Sequence, residues 1–477
     1  MNEPLWARLA LPVLLGVSAG CAVGPDYVPP ATSAPQAWHT ALQGGAAAEQ
    51  MDPQGLASWW TTLNDPTLTS LIERAARNNL DLRKARARVR EARASRGISQ
   101  SGLFPTLDAK ASATRSRSSQ NGMGDTQDVY ANATGFDASW ELDLFGGVRR
   151  SVEVATATLQ ANTEDLRNVL VSLLAEVALN YIEARTYQVR LGIAEANLKT
   201  HGETVALTTV RFEAGLTTAL DVEQATYNRE STRSQVPTLQ SGLEESKNRL
   251  AVLLGEQPGG VQAELAEHRP VPVTPSEVLV GVPADVLRRR PDVRQAERKL
   301  AAQTAQVGVA TAELYPKLSL LGSIGLDALT LTNLFSAASQ TYSVGPSLSW
   351  RLFDAGAVRK KIEVQSALQE QALIQYEATV LTALQEVENA LVAYAEEQRR
   401  REALRGATQA AERAVALARA QYGAGMVDFR SVLDAERSLL SYQDQLAQSE
   451  GAVTANLVRL YKALGGGWTS LSPGETG

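Results

Sequence analysis

The sequence predicts a mainly α-helical protein with a smaller transmembrane β part, built twice from one structural unit. Three observations predict this fold class. The two halves of the chain match at a nearly constant offset, each half contains stretches of apolar and polar alternation, and each half continues into a long proline-free segment of helix-forming residues. We expect each unit to contain a helix, two strands, a very long helix, a turn and a returning helix.

The N-terminus predicts a signal peptide over residues 1–20. Arg8 precedes a short apolar run, 9–17, which small residues follow, and this run is too short to span a bilayer. Cys21 comes next and is the only cysteine, so an intramolecular disulfide is excluded. Two interpretations remain: an incidental thiol, or the lipidated N-terminus of a bacterial lipoprotein. The preceding "SAG" favours lipidation.

Composition excludes some functions. The 477 residues exceed one ordinary core, and the net charge of −6 gives no support to nucleic-acid binding. The basic run that begins at Leu82 is typical of a solvated helix face. Aromatic residues make up only 5% of the chain, which suits closely packed helices.

The internal repeat fixes the order of the elements. Trp140 corresponds to Trp350 and Gly146 to Gly356, both at an offset of 210 residues. The same offset carries "RFEAGLTTALDVEQA" onto "QYGAGMVDFRSVLDA" near the end of each unit. A register kept this long indicates duplication.

Alternation and composition then predict the individual elements. Tyr342, Val344 and Leu348 alternate with polar residues, as in a strand with one apolar face. At around 12 residues such strands are long enough to cross a bilayer when tilted. We expect opening helices over 80–100 and 291–313, and strands over 106–117, 129–144, 317–328 and 341–352.

The helices that follow Gly146 and Gly356 contain no proline before Gly215 and Gly425. Their length is on the order of 100 Å at 1.5 Å per residue. Large residues recur at alternating spacings of four and three, which predicts a coiled-coil seam on both helices. The seam residues are Leu170, Leu174, Val177, Tyr181 and Ala184, and Val380, Leu384, Val387, Leu391 and Tyr394.

Four strands cannot close a barrel in lipid, because the edge strands would leave backbone groups unsatisfied. Two chains would supply eight strands and leave no pore. Three chains would supply 12 strands, enough for a water-filled barrel, together with 12 helices. The sequence therefore favours a homotrimer in contact with outer-membrane lipid.

Aromatic residues cluster where strands meet helices. They predict a girdle at the membrane interface, with the alternative that they cap a hydrophobic core at the junction. These residues are Phe104, Trp140, Phe145, Tyr315, Trp350 and Phe353.

Several motifs together resemble those of a known family. They include "GCAVGPDYVPP", "WWTTLNDPTLTSLIERAARNNLDL", "LFPTLD", "WELDLFGG", "RRPDVRQAE", "FDAG" and "LYKALGGGW". The chain resembles the TolC-like outer-membrane factors, in the lipoprotein subfamily of the OprM, CusC and NodT type, over essentially its whole mature length. The resemblance implies a trimer in which a 12-stranded outer-membrane barrel is continued by a 12-helix periplasmic α-barrel, with a mixed equatorial belt.

The resemblance also implies a function. The protein would be the passive exit duct of a tripartite efflux system in a Gram-negative outer membrane, lipid-anchored at Cys21 and without cofactors. Its partners would be a periplasmic adaptor (membrane fusion) protein and an inner-membrane pump of the RND type. The implied segments are the signal peptide 1–20, a lipidated and equatorial segment 21–79, repeats 80–256 and 284–464, an equatorial linker 257–283 and a tail 465–477.

The two helix–turn–helix tips are the predicted docking site, since the family meets its adaptor there. A simpler alternative is that the glycines only reverse the chain. The docking candidates are Arg211, Phe212, Gly215 and Leu216 in the first repeat, and Gln421, Gly425 and Met426 in the second repeat.

A gate is predicted beside these tips. Arg430, Asp434 and Arg437 fall on one helix face by spacing. Resemblance to the family's periplasmic aperture adds Asp221 and Tyr422 as gate residues. The alternative is an ordinary solvated charge stripe.

Two other classes of protein compete. An enzyme has little support, because His39, His201 and His268 lie far apart and no G-x-S-x-G or P-loop motif is present. A periplasmic coiled-coil scaffold lipoprotein without a pore would explain the helices but leaves four amphipathic strands without a role. The transported compound is not readable, although four methionines and three histidines slightly favour organic cargo over copper or silver.

Overall fold

The computed structural model describes residues 22–31, 34–49, 53–117, 119, 128–275 and 277–468. The predicted signal peptide, Cys21 and residues 469–477 of the predicted tail lie outside this part of the chain. Two compact units divide the chain. The first comprises residues 1–31, 88–163 and 295–377, and the second comprises residues 32–87, 164–294 and 378–477.

Helices and strands follow the predicted order in both repeats. The strands are β1 (Ala46–Ala47), β2 (Thr106–Arg117), β3 (Asp128–Leu142), β4 (Val278–Leu279), β5 (Lys317–Ala328) and β6 (Gln340–Ser349). The α-helices are α1 (Pro53–Ala57), α2 (Pro66–Asn78), α3 (Leu80–Ser101), α4 (Gly147–Glu213), α5 (Ala219–Leu253), α6 (Pro283–Arg289), α7 (Pro291–Ala312), α8 (Ala357–Gly423) and α9 (Phe429–Ala463). Short 3₁₀ turns occupy Trp59–Leu63 and Ala337–Ser339. Among the described helices, none is both long and apolar enough to cross a membrane.

The first unit contains a four-stranded antiparallel sheet in the order β2-β3-β5-β6. Its register separates two faces. Ala109, Phe136, Ile324 and Tyr342 lie opposite one another in one row, and the next row is Asp108, Asp137, Ser323 and Ser343. One face of the sheet is therefore apolar across all four strands and the other is polar.

The last strand ends earlier than predicted, at Ser349 instead of Leu352. Ser349 pairs with Lys317, the first residue of β5, and the residue before Lys317 is Pro316, which has no N–H to extend the ladder. The indole N–H of Trp350 donates to the carbonyl of Leu314 at 3.1 Å, and the carboxylate of Asp354 accepts from the N–H groups of Gly356 and Val358. The backbone is thus already turning toward α8 at these residues.

The strand-to-helix junctions are similar in the two repeats, although the second also holds Ala355 at a positive φ of 53°. Gly146 and Gly356 both have positive φ, at 80° and 85°, which a residue with a Cβ adopts only with strain. Asp143 accepts from the N–H groups of Val148 and Arg149, whereas Asp354, one position later in the second repeat, accepts from those of Gly356 and Val358. Each long helix therefore begins at a left-handed glycine and an aspartate that satisfies its free N–H groups.

The second unit holds an extensive hydrophobic core. Trp59 is 1% exposed and stacks on Tyr461 with ring centroids 5.5 Å apart. Leu174 and Tyr181, at predicted seam positions on α4, are fully buried in this core. The N-terminal segment and the linker join it through the parallel pairing of β1 with β4. The segments that the family resemblance assigns to the belt thus meet in one core.

Candidate gate and docking site at the helix tips

The tips are the two turns between α4 and α5 and between α8 and α9, both in the second unit. The N–H of Gly215 donates to the carbonyl of Phe212, and the N–H of Leu216 donates to that of Arg211. Gly425 and Met426 repeat this pattern, and both glycines have φ of +74°. This pair of hydrogen bonds is a Schellman motif, which ends a helix and requires a residue in the left-handed conformation.

Several apolar side chains at the tips are exposed to solvent in the single chain. Leu216 is 70% exposed and its counterpart Met426 is 69% exposed. Phe212 is 45% exposed, whereas its counterpart Tyr422 is half-buried. Exposed apolar side chains clustered at a chain reversal are typical of a protein-binding surface.

Asp221 lies in the first turn of α5, where it forms a capping box with Thr218. Its carboxylate accepts from the N–H and hydroxyl of Thr218 and from the hydroxyl of Thr217. Burial by itself raises the pKa of Asp221, but these hydrogen bonds outweigh it and the net pKa is lowered. The immediate role of Asp221 in one chain is therefore to start the helix.

Asp428 caps α9 in the second repeat, where Thr218 stands in the first. Its carboxylate accepts from the hydroxyl and N–H of Ser431, and these bonds lower its pKa. The negative charge of Asp221 raises the pKa of Asp428. The two carboxylates, which belong to different tips, therefore interact electrostatically.

Tyr422 is the meeting point of the two tips. The guanidinium of Arg211 lies 4.6 Å from the centroid of the Tyr422 ring, which is a cation–π distance. Phe429 packs on the same ring at 5.3 Å and continues into a small buried cluster with Ala225 and Leu433. A predicted docking residue and a predicted gate residue are thus in direct contact.

Arg430, Asp434 and Arg437 lie on one face of α9, as their spacing predicts. Arg430 and Arg437 are 3.8 Å and 3.6 Å from the carboxylate of Asp434. All three side chains are largely exposed, so these ion pairs contribute little within one chain. Arg437 also donates to Oδ1 of Asn228 at 2.6 Å and lies over the ring of Tyr227.

A polar seam joins the two hairpins and was not predicted. Four residues of α4 at seven-residue spacing reach the second hairpin: Arg190 bonds to Asp444, Asn197 to Gln443, Thr204 to Glu436, and Arg211 lies over Tyr422. The heptad spacing of these polar residues was the available signal. The large apolar residues of α4 follow a different stripe and do not reveal this seam.

The structure therefore divides the predicted gate set. Arg430, Asp434 and Arg437 form one group, Tyr422 belongs to the contact between the tips, and Asp221 bonds within its own helix turn. Asn228 accepts from Arg437, and Arg419 donates to Glu436 on the same helix α9; none of Asn228, Arg419 and Glu436 was among the predicted residues.

Known proteins share this architecture. The family model "Outer membrane efflux protein" matches the chain twice, over residues 71–256 and 282–466. The chain belongs to the outer membrane efflux protein family. It is 33% identical over 469 residues to nodulation protein T of Rhizobium leguminosarum bv. trifolii, covering 98% of this chain and 99% of that protein. It is 32% identical over 470 residues to the solvent efflux pump outer membrane protein SrpC of Pseudomonas putida, with 98% of each chain covered.

A solved structure of the outer-membrane channel OprN superposes with a TM-score of 0.88 at 39% identity, covering 94% of this chain and 100% of that one. The protein is thus an outer-membrane efflux channel with a TolC-like fold, and the scaffold alternative is not favoured. The family relatives are efflux proteins, in keeping with the expectation that the chain is not an enzyme.

The predicted girdle residues of this outer membrane efflux protein lie in the first unit. Trp140 donates from its indole N–H to the carbonyl of Leu103 at 3.0 Å, as Trp350 does to Leu314. Phe145 stacks on Tyr315 with ring centroids 4.7 Å apart. Phe104 and Phe353 are strongly exposed in one chain.

Proposed function

We propose that three copies of this chain form a duct that crosses the outer membrane and extends into the periplasm. The arrangement of the sheet is the observation that carries the proposal. β2 and β6 are its two edges, so each has an unpaired side in one chain. Lipid cannot satisfy those backbone groups, whereas β6 of one copy can pair with β2 of the next. Three copies then close 12 strands around a lumen lined by the polar face.

The apolar face of the sheet supports this orientation. Leu107, Ile324, Tyr342 and Val344 are all more than 60% exposed in one chain. Lys110 and Asp137 form an ion pair on the opposite, polar face. An apolar exterior and a polar interior are the arrangement that a water-filled barrel in lipid requires.

Lipidation of Cys21 would anchor the chain near the junction between the sheet and α4. Ala22 lies against Gly146, where β3 passes into α4, and the N–H of Val23 donates to the carbonyl of Phe145 at 3.1 Å. Arg150 then fixes the following residues by bonds to the carbonyl of Val23 and to Asp26. An acyl chain on the preceding residue would therefore start beside the aromatic girdle.

The tips would close the duct in the resting state and bind a periplasmic adaptor that opens it. The exposed apolar side chains at Leu216 and Met426 support docking, and the exposed charges of Arg430, Asp434 and Arg437 would be available to pair between copies across a closed aperture. An inner-membrane pump of the RND type would supply the driving force, and the duct itself would be passive. The relatives include a solvent efflux protein and a nodulation protein, so the proposal names no single cargo.

The gate is tested by replacing Asp434 with Ala. Each exposed ion pair of Asp434 is worth about 0.5 kcal/mol. Pairs within one helix persist in both states, so only a pair that Asp434 makes with an arginine of a neighbouring copy would favour the closed state. One such pair in each of three chains would contribute about 1.5 kcal/mol, roughly tenfold in the closed-to-open ratio. Asp434→Ala should therefore raise single-channel open probability in planar bilayers.

Glu402→Ala is the matched control, because Glu402 forms a similar exposed pair with Arg405 on α8, away from the tips. It should leave the open probability unchanged. Equal open probability in wild type and Asp434→Ala would contradict the gate assignment.

A further inference from the structure

A buried histidine lies between the two hairpins of the second unit. His201 on α4 is 2% exposed and Glu436 on α9 is 3% exposed. Nε2 of His201 is 3.9 Å from Oε2 of Glu436, and neither atom has a hydrogen-bond partner. The pair is therefore too far apart to bond in the present arrangement, although it is enclosed by protein.

Groups from four helices face this pair. On α5, the hydroxyl of Thr232 shares a hydrogen bond with Nδ1 of His201 at 3.2 Å. On α8, Arg419 donates to Oε1 of Glu436 at 2.7 Å, and on α4 the hydroxyl of Thr204 donates to the same oxygen at 3.4 Å. On α9, Arg437 contributes a second positive charge that acts on the ring. The imidazole thus faces one carboxylate and two guanidinium groups.

The electrostatic balance opposes a charged imidazole. Burial lowers the pKa of His201 and outweighs the opposite effect of Glu436 and of the Asn228 backbone, while Arg419 and Arg437 lower it further. The ring is neutral at pH 7. Its proton can arrive through an adjoining cavity of about 650 Å³, which His201, Asn228 and Arg437 help to line.

We propose that His201 is an acid-sensitive latch: protonation of its ring favours an arrangement in which α4 has moved away from α9. The latch is His201 together with Glu436, Arg419 and Thr232. Moving the helices apart would expose the ring to water and restore a pKa near 6.5.

The direction follows from proton linkage. The separated form binds a proton more readily than the packed form, so acid shifts the equilibrium toward separation as the pH falls through about 6.5. Above that pH the ring is neutral in both forms and the latch has no pH dependence. The effect on conductance rests on the proposed gate, whereas the effect on helix packing does not.

Hydrogen exchange of residues 197–208 tests the latch in the full-length, detergent-purified protein. Wild type and His201→Gln are compared at pH 7.5 and at pH 5.5, so that intrinsic exchange chemistry cancels at each pH. Gln keeps a side-chain amide for Thr232 but gains no proton; His201→Asn serves as a second variant if His201→Gln folds poorly. His268→Gln is the control, since His268 lies in the exposed linker.

We expect wild type and His268→Gln to exchange several-fold faster than His201→Gln at pH 5.5, with all three alike at pH 7.5. Wild-type protection that is unchanged or increased in acid would overturn the proposal, as would the same acid response in His201→Gln. Conductance is recorded on the same samples. An exchange response without a change in conductance would support the latch and contradict the tip gate.

Discussion

Gly215 and Gly425 hold each tip in a conformation that other residues adopt with difficulty. A Cβ built on either glycine meets no atom within 4 Å, so the constraint is the backbone and not the available space. Both glycines were predicted as turn residues from their place after a long proline-free helix. Their left-handed conformation follows from the same reasoning, because a Schellman motif needs it.

Gly215→Ala should loosen the first tip by about 1 kcal/mol, because Ala is strained at positive φ. Hydrogen exchange of residues 213–219 should then be roughly fivefold faster. Gly192→Ala is the matched control: Gly192 is helical, its Cβ would also meet no atom within 4 Å, and Ala should stabilise α4 there. Faster exchange in both variants, or in neither, would show that backbone strain does not hold the tip.

The capping role of Asp221 was not predicted from its position beside the tip. The sequence placed it beside the tip but did not reveal its capping box with Thr218, although a Thr three residues before an Asp is the pattern for one. Its lowered pKa means that the cap is stable above about pH 4 and is lost as the pH falls through the folded-state pKa. An acid response between pH 7.5 and 5.5 therefore does not come from this carboxylate.

The long helices and the sheet were the most predictable elements. Because the chain contains two repeats, each element boundary is predicted twice. The equivalent helices α4 and α8 both contain 67 residues. Errors are concentrated at the strand ends, where pairing with the neighbouring strand decides the boundary: β6 ends at Ser349, opposite the first residue of β5. α5 also continues through Pro237, since packing of its neighbours outweighs the loss of one backbone hydrogen bond.

The contacts between helices were less predictable than the helices themselves. The polar seam depends on which face of α4 meets α9, and that pairing is set by the tertiary arrangement. His201 illustrates this: the sequence showed a lone histidine, and its proximity to Glu436, 235 positions further along the chain, emerged only from the fold.

The tips should cross-link to a periplasmic adaptor. We expect Met426→Cys to form a specific adduct with an adaptor that carries a cysteine in its docking segment, because Met426 is 69% exposed at the turn. Met426 is a better position for the probe than Gly425, where a cysteine would be strained. The adduct is measured by mass spectrometry after cross-linking in cells.

Ser323→Cys is the control for this experiment, since Ser323 lies on β5 and faces the polar side of the sheet. It should give no adduct. Equal cross-linking at both positions would mean that the tips are not the docking site.

The sheet of one chain requires further copies of the chain to complete it. One chain leaves two sheet edges open and exposes an apolar sheet face, which together would be unstable in water and incomplete in lipid. The composition, the repeat and the strand count were enough to predict this problem from the sequence. The choice of three copies is the simplest closure that gives a lumen.

The mass of the detergent-extracted complex tests this central claim most directly. Native mass spectrometry of the protein purified from outer membranes should give three chains. Each chain should begin at Cys21 and carry the additional mass of acyl groups. A complex of one or two chains would contradict the closed 12-stranded duct.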